Sequence, residues 1–347
     1  MKHLFVINPR SFVATGGCQN IIAEIASCFS SEESSDYKVH ISRYARDAIA
    51  IVHHFIAAYP ADETVRIYAV GGDGILFECL NGMVDFPNAE LTSIPYGNAN
   101  DFARVFGEGN HDKFRDIKSL LNAPSRPIDI IHCGSNYALN GMSVGIIGQT
   151  IIYANNIFPH IPPKLLRRFI GQAYTLSGVF AAMKTKVVKQ VYELLIDGED
   201  FSGQICNIHI QNSAVNGGSL TPSPYAKPND GILNVLLAKI PNAFEVSRTI
   251  GDYNKGHFEK HDYYEHHLAR VIEIKSEEIL SVEIDGEGFY ASELKIEIIP
   301  NGIKVVVPAE LDFADYSHRS WNEVASQPTF GLFKYEEDDE NEENERH

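Results

Sequence analysis

The amino-acid sequence predicts two domains in series: an α/β domain over residues 1–127 and 309–335, and a β-sandwich over residues 128–308. Three observations predict this. Up to Pro127, short apolar runs alternate with helical periodicity, the pattern of a parallel sheet with helices on its faces. From Pro127 onward the runs are many, short and divided by turn residues, as in an antiparallel sandwich. Glycine and asparagine clusters follow the early strands, at the edge where open α/β sheets hold ligands.

The early strands are Leu4–Ile7, Lys38–Ile41, Val65–Val70 and Leu91–Ile94, with helical patterns at Gln19–Phe29, Ala45–Ala58 and Leu76–Met83. Ile128–Cys133 and Tyr137–Val144 flank Gly134-Ser135-Asn136, a hairpin signal. Further runs occur at Tyr192–Ile196, Ile205–Gln211, Ile232–Ala238, Val271–Lys275, Leu280–Ile284, Leu294–Ile299 and Ile303–Val307. A helical island at Lys164–Lys189 interrupts them. The segment after Pro308 is expected to pack back onto the first domain. Residues 336–347 are nearly all acidic or amide and read as a disordered, solubilising tail.

Composition sets the class. The chain has 347 residues, 44% hydrophobic and 22% charged, as in an ordinary folded protein. A formal net charge of −17 argues against nucleic acid as a partner. No stretch approaches the roughly 20 apolar residues of a membrane-spanning helix, and the first apolar run is too short for a signal-peptide core. Five cysteines, widely spaced and without a Cys-x-x-Cys pair, suit small buried side chains in a reducing, cytoplasmic compartment. One bias stands out. Between Ile151 and Tyr192 there is no Asp or Glu, while Lys164, Arg167, Arg168, Lys184, Lys186 and Lys189 all fall there. Either Leu165, Leu166, Phe169, Ile170 and Leu176 form the apolar face of a helix whose basic side meets lipid headgroups, or the helix is packed and its basic face solvated.

Gly71-Gly72-Asp73-Gly74 closes a predicted strand and opens a helix, which lets backbone N–H groups and the helix N-terminus approach phosphates. Taken alone it reads equally as a structural turn, and its spacing matches neither a dinucleotide fingerprint nor a Walker loop. Its company is more specific. Asn8-Pro9 follows the first strand, the Gly71–Met83 segment the third, and Ile94–Arg104, with Gly97-Asn98-Ala99-Asn100-Asp101, the fourth. Asn140–Gly145, Pro224-Tyr225-Ala226 with Asp230-Gly231-Ile232-Leu233, and Asp285-Gly286-Glu287 come next in order. This series resembles the diacylglycerol kinase catalytic family, which includes bacterial lipid kinases and the sphingosine and ceramide kinases. The similarity spans about residues 1–310.

The resemblance implies an NAD-kinase-like nucleotide-binding domain, with ATP and a lipid acceptor meeting in the cleft before the sandwich. It implies that Gly71, Gly72, Asp73, Gly74 and Ile75 wrap the ATP phosphates, with Asn8, Ser42 and Asn98 as further nucleotide contacts. Ile75 and Asn98 stand where the family often has Thr. Glu287 is implied as the general base, with Asp285 beside it orienting the base or the metal, and Asp73 at the phosphates. A Mg²⁺ held by the Asp230 carboxylate and the Lys227 and Ile232 carbonyls is implied as structural, apart from the Mg²⁺ that accompanies ATP. Because such enzymes meet their substrate in a bilayer, the resemblance favours the lipid-facing reading of Lys164, Arg167 and Arg168, with transient membrane association. A homodimer through sandwich edges stays open.

Bland readings stand beside these. The chain holds two Asp-Gly-Glu triplets, Asp197-Gly198-Glu199 and Asp285-Gly286-Glu287, and Asp-Gly between β-runs is a hairpin turn by default. By the residues alone the two are equal; the resemblance selects the second. His257, His261, His266 and His267, like His53 and His54, read as solvated helical faces rather than metal ligands. Two other functions remain open: an NAD-kinase-like enzyme on the same fold, and a non-catalytic lipid- or nucleotide-binding protein.

Overall fold

The computed structural model describes residues 1–157, 190–218, 221–242, 244–245, 248–249, 252 and 256–317. The island around Lys164, Arg167 and Arg168 and the acidic tail lie outside the described residues.

The first domain alternates strand and helix as expected: β1 (Lys2–Ile7), α1 (Gln19–Ser27), β2 (Tyr37–Ile41), α2 (Asp47–Ala57), β3 (Val65–Gly71), α3 (Asp73–Met83) and β4 (Ala89–Pro95). Short helices α4 (Asp101–Arg104), α5 (His111–Arg115) and α6 (Ile117–Asn122) follow. The parallel strands lie in the order β2-β1-β3-β4. Chain order therefore reverses between β1 and β3, and the crevice outside their carboxyl ends is where such sheets bind ligands. Asn8 leaves β1 there and Gly71 leaves β3 there. Every residue of β3 and β4 is buried, because helices cover both faces. Their buried Arg66 and Glu90 form an ion pair at 2.7 Å, and Arg66 also donates to the Leu120 and Leu121 carbonyls at the end of α6.

The second part contains β5 (Ser125–Cys133), β6 (Asn136–Ala138), β7 (Gly141–Gly145), α7 (Ile146–Ile157), β8 (Val191–Ile196), β9 (Glu199–Asp200), β10 (Gly203–Gln204), β11 (Asn207–Gln211), β12 (Leu233–Ala238), β13 (Tyr264–Ala269), β14 (Val271–Ile284) and β15 (Glu287–Val306). The strands run β13-β12-β11-β7-β14-β15, and a separate apolar core fills this part. β15 then continues into the first domain. It pairs antiparallel with β5, and parallel with β4 at Lys304 and Val305. Ile303, Val305, Val306 and Val307 belong to the first domain's core. β15 is thus shared between the two parts, since residues 303–307 also pack into the first domain's core. After it the chain returns as expected: Leu311 is buried in the first core, and the Ala314 N–H donates to the Val105 carbonyl at 2.9 Å.

Two further expectations change. The run Tyr137–Val144 breaks at Leu139–Asn140, so β6 pairs with β5 while β7 pairs with β11 and β14. The histidines at 257–267 are not a helical face. His257 and His261 flank a single 3-10 turn, while His266 and His267 lie on β13. His261 pairs with Asp252 at 2.9 Å and His266 contacts Asn234 at 3.0 Å. No described helix is long and apolar enough to cross a membrane.

Candidate active site

The site begins where two glycine loops touch backbone to backbone. A Cβ on Gly72 would stand 2.9 Å from the Gly97 Cα, and one on Gly97 would come closer still to Gly72. On the other side, a Cβ on Gly71 would stand 3.0 Å from the Asn8 Cβ and 3.2 Å from the Ser11 Oγ. The segments after β1, β3 and β4 therefore converge, and α3 aims the positive end of its dipole at the same place. Gly97→Ala should wedge the loops apart, lowering ATP affinity about 10-fold or more and the melting temperature by several degrees. Titration calorimetry and thermal unfolding check this; native values in both would show that the contact is dispensable.

Asp73 fastens these loops. Its carboxylate accepts the Asn100 N–H at 2.8 Å and the Asp101 N–H at 2.7 Å. Asn100, at φ 53°, holds both polar groups of Gly97 with its own amide, at 2.9 and 2.8 Å. The Asp101 carboxylate reaches on to the N–H groups of Gly217 and Gly218, at 2.6 and 2.7 Å. One chain of bonds thus ties the turn after β3 to the loop after β4, and that loop to the segment after β11. Burial pushes both carboxyls up, and Asp73's charge drives Asp101 well above the usual range. Ser42 follows β2 and donates to the Tyr44 carbonyl at 3.2 Å, while Asn98 is exposed on the Gly97–Asn100 loop. The Ile75 side chain is buried in the core below the turn, so it presents no side-chain group to a ligand.

The two Asp-Gly-Glu triplets sit at opposite ends of β14. Both are two-residue hairpin loops with positive φ at Asp and Gly. Asp197 accepts the N–H groups of Arg270 and Val271 at the start of β14, and its surroundings are exposed. Asp285 follows the end of the strand and is buried. Its carboxylate accepts three backbone N–H groups, from Leu139 at 2.7 Å, Asn140 at 3.0 Å and Gly141 at 3.1 Å. Burial raises its pKa to about 6, those three donors pull against the rise, and Asp73's charge adds to it. With both oxygens engaged, Asp285 fixes the turn that carries Glu287. A Cβ on Gly74 would stand 3.4 Å from the Glu287 Oε1, so this carboxylate lies over the glycine turn. Loss of hydration raises its pKa, Glu78 adds to the rise and Arg46 opposes it. Geometry therefore brings together Asn8, Gly71–Gly74, Asp285 and Glu287, and leaves Asp197 and Glu199 remote.

Two family models match successive parts of the chain. Residues 2–133 match the diacylglycerol kinase catalytic domain, and residues 166–307 match the YegS C-terminal NAD kinase beta sandwich-like domain. The chain carries a diacylglycerol kinase catalytic domain. It is 28% identical over 281 residues to the "Probable lipid kinase YegS-like" of Shewanella frigidimarina, covering 80% of this chain and 86% of that one. It is also 28% identical over 248 residues to the diacylglycerol kinase of Bacillus subtilis, covering 70% and 78%. A diacylglycerol kinase crystal structure from Bacillus anthracis superposes with a TM-score of 0.62 at 20% identity, covering 88% of this chain and 96% of that one, a likeness of fold.

The loop expected to hold Mg²⁺ has Asp230 at its tip, its Oδ1 accepting the Ile232 N–H at 3.1 Å. Buried Asp129 lies beneath, accepting the N–H groups of Gly231 at 2.7 Å and Asn301 at 2.8 Å. Burial raises the pKa of Asp230, and the Asp129 charge adds to the rise. The Asp230 carboxylate with the Lys227 and Ile232 carbonyls, the set implied by the resemblance, would be an all-oxygen donor set of the kind that suits a hard cation.

Sequence reasoning missed Asp101, Arg46, Glu78 and Glu283. Glu283 is buried two residues before Asp285; its Oε1 accepts the Gly286 N–H at 2.7 Å, and its Oε2 has no partner among the described residues. It lies in an alternating Val-Glu-Ile-Asp run, which reads as a solvated strand face. Burial raises its pKa to about 8, with the Gly286 bond opposing and the charges of Asp285 and Glu287 adding. Below the ordinary carboxyl range the group is protonated folded and unfolded alike. As pH rises toward about 8, only the unfolded chain ionises it, so stability falls by up to about 1.4 kcal/mol per pH unit. Glu283→Gln is expected to raise the melting temperature at pH 8 and leave it near native at pH 4.5. An equal shift at both values would remove the buried-acid explanation.

Proposed function

We propose that this chain transfers the γ-phosphate of Mg-ATP to the hydroxyl of a neutral lipid, with diacylglycerol as acceptor and a phosphatidic acid as product. The observation that carries the reading is the Glu287 carboxylate lying over Gly74, in the glycine turn that opens α3. The lipid oxygen forms a bond to the γ-phosphorus, the bond from that phosphorus to the β–γ bridging oxygen breaks, and ADP leaves. Glu287 accepts the hydroxyl proton, a role its raised pKa suits. Asp285 holds Glu287's turn, and Asp73 and Asp101 lock the glycine loops, so the phosphates meet a preformed set of donors. Asn8, Ser42 and Asn98 line the nucleotide side. Mg²⁺ accompanying ATP offsets phosphate charge, and a second Mg²⁺ on Asp230, Lys227 and Ile232 braces the loop before β12.

The test is transfer of label from [γ-³²P]ATP into a panel of lipid hydroxyls in mixed micelles, with native protein and Glu287→Gln side by side. Label entering diacylglycerol, and lost in the variant, supports the reading. Label in another lipid replaces the acceptor. ATP binding without label in any lipid favours the NAD-kinase-like alternative, and no ATP binding favours the non-catalytic one.

A further inference from the structure

Five residues other than glycine have positive φ among the described residues: Arg46, Asn100, Asp197, Asp285 and Asn301. Four are Asn or Asp, whose short polar side chains make this left-handed conformation tolerable. Arg46, at φ 68°, has no such relief, and glycine would adopt the conformation freely. Strain retained at a residue is a reason to look for what its side chain does.

Its position answers that. Arg46 ends the loop after β2 and precedes α2, on the same edge of the sheet as Asn8, Ser42 and the glycine turn. Its N–H donates to the Glu78 Oε1 at 2.9 Å, and the Ala48 N–H donates to the Glu78 Oε2 at 3.0 Å, so the backbone is pinned to α3. Glu78 lies four residues after Gly74, on the same face of α3 and about 6 Å along its axis. Glu287 lies over Gly74. Arg46 and the proposed base are therefore neighbours on one helix face. The guanidinium is exposed and enters no ion pair or hydrogen bond among the described residues. Its positive charge is felt at Glu287, where it favours the ionised carboxylate. Carboxyl groups gather here, at Asp73, Asp101, Asp285 and Glu287, and Arg104, whose charge acts on Asp73 and Asp101, is already paired with Glu108.

We propose that Arg46 is a further catalytic residue, whose guanidinium binds the γ-phosphate of ATP and stays with it as the phosphorus moves toward the lipid oxygen. A planar guanidinium offers paired N–H donors to phosphate oxygens, and its charge offsets the negative charge brought together between the phosphate and Glu287. The proposal rests on the lipid-kinase reading given above.

The test uses Arg46→Gly, which removes the side chain and relieves the strained backbone together. Its melting temperature is expected to equal or exceed the native one, while kcat for lipid phosphorylation falls about 10²–10³-fold with little change in KM for the lipid. Arg46→Lys should recover part of that loss. A second readout needs no lipid: calorimetry should show native protein preferring Mg-ATP over Mg-ADP, with the preference reduced about 10-fold in Arg46→Gly. If native protein binds ATP but labels no lipid, the lipid-kinase reading fails, and the ATP-to-ADP preference still decides the role of Arg46. An unchanged preference overturns the proposal, as does unchanged kcat in a protein that phosphorylates lipid. Native protein that binds neither nucleotide overturns both.

Discussion

Glu287→Gln is expected to lower lipid phosphorylation about 10²–10⁴-fold and to leave the fold intact. The carboxylate reaches out over Gly74 and accepts no backbone donor among the described residues, so the amide replaces it without unpairing a buried group. KM for ATP should stay near native, because the phosphates are met by the glycine turn rather than by this side chain. Glu199→Gln supplies the control. It alters the other Asp-Gly-Glu triplet, at the far end of β14, and should leave turnover unchanged. The reverse pattern, with Glu199 sensitive and Glu287 silent, would sink the assignment.

Asp285→Ala is expected to produce the largest loss of stability at the site. Three buried N–H groups, at Leu139, Asn140 and Gly141, would lose their acceptor together. Each stranded donor costs about 1–3 kcal/mol, so a total of several kcal/mol follows, or a fall of roughly 10 °C in melting temperature. The variant should also lose activity, since the turn that presents Glu287 is no longer fixed. Asp285→Asn should fall between, because either orientation of its amide sets an NH₂ against a backbone donor. Thermal unfolding followed by circular dichroism measures both, and a shift within about 1 °C for Asp285→Ala would contradict this account.

The α/β half was legible because β1, β3 and β4 are short apolar runs ended by Asn, Gly or Pro, and α1, α2 and α3 carry helical periodicity. The less legible parts have identifiable causes. Helix α7 escaped notice because its β-branched isoleucines are indifferent helix formers. It also carries Gly148, which is needed because a Cβ would run into the Ser281 carbonyl. Strand β13 was hidden by Glu265, His266 and His267, polar residues on a strand at the sheet edge. The break in Tyr137–Val144 is imposed by Asp285, about 145 residues later, and local sequence carries no trace of it.

The site divides in the same way. The glycine turn and the carboxylates of Asp73, Asp285 and Glu287 were picked out through the resemblance, but those of Asp101 and Glu283 were not, and the bonds from Asp73 to Asn100 and Asp101 span 27 and 28 residues. The two Asp-Gly-Glu triplets share one local conformation and differ only in which end of β14 they close.

The passage of β15 from the sandwich into the α/β sheet bears on how the protein is made. On the ribosome, β1 to β4 emerge long before residues 304 and 305, so β4 waits with its outer edge open. The N-terminal domain cannot finish folding as a separate unit during synthesis. Its last strand arrives only when the sandwich has been translated, and a nascent chain halted before residue 303 would carry an unpaired strand edge open to association with other chains.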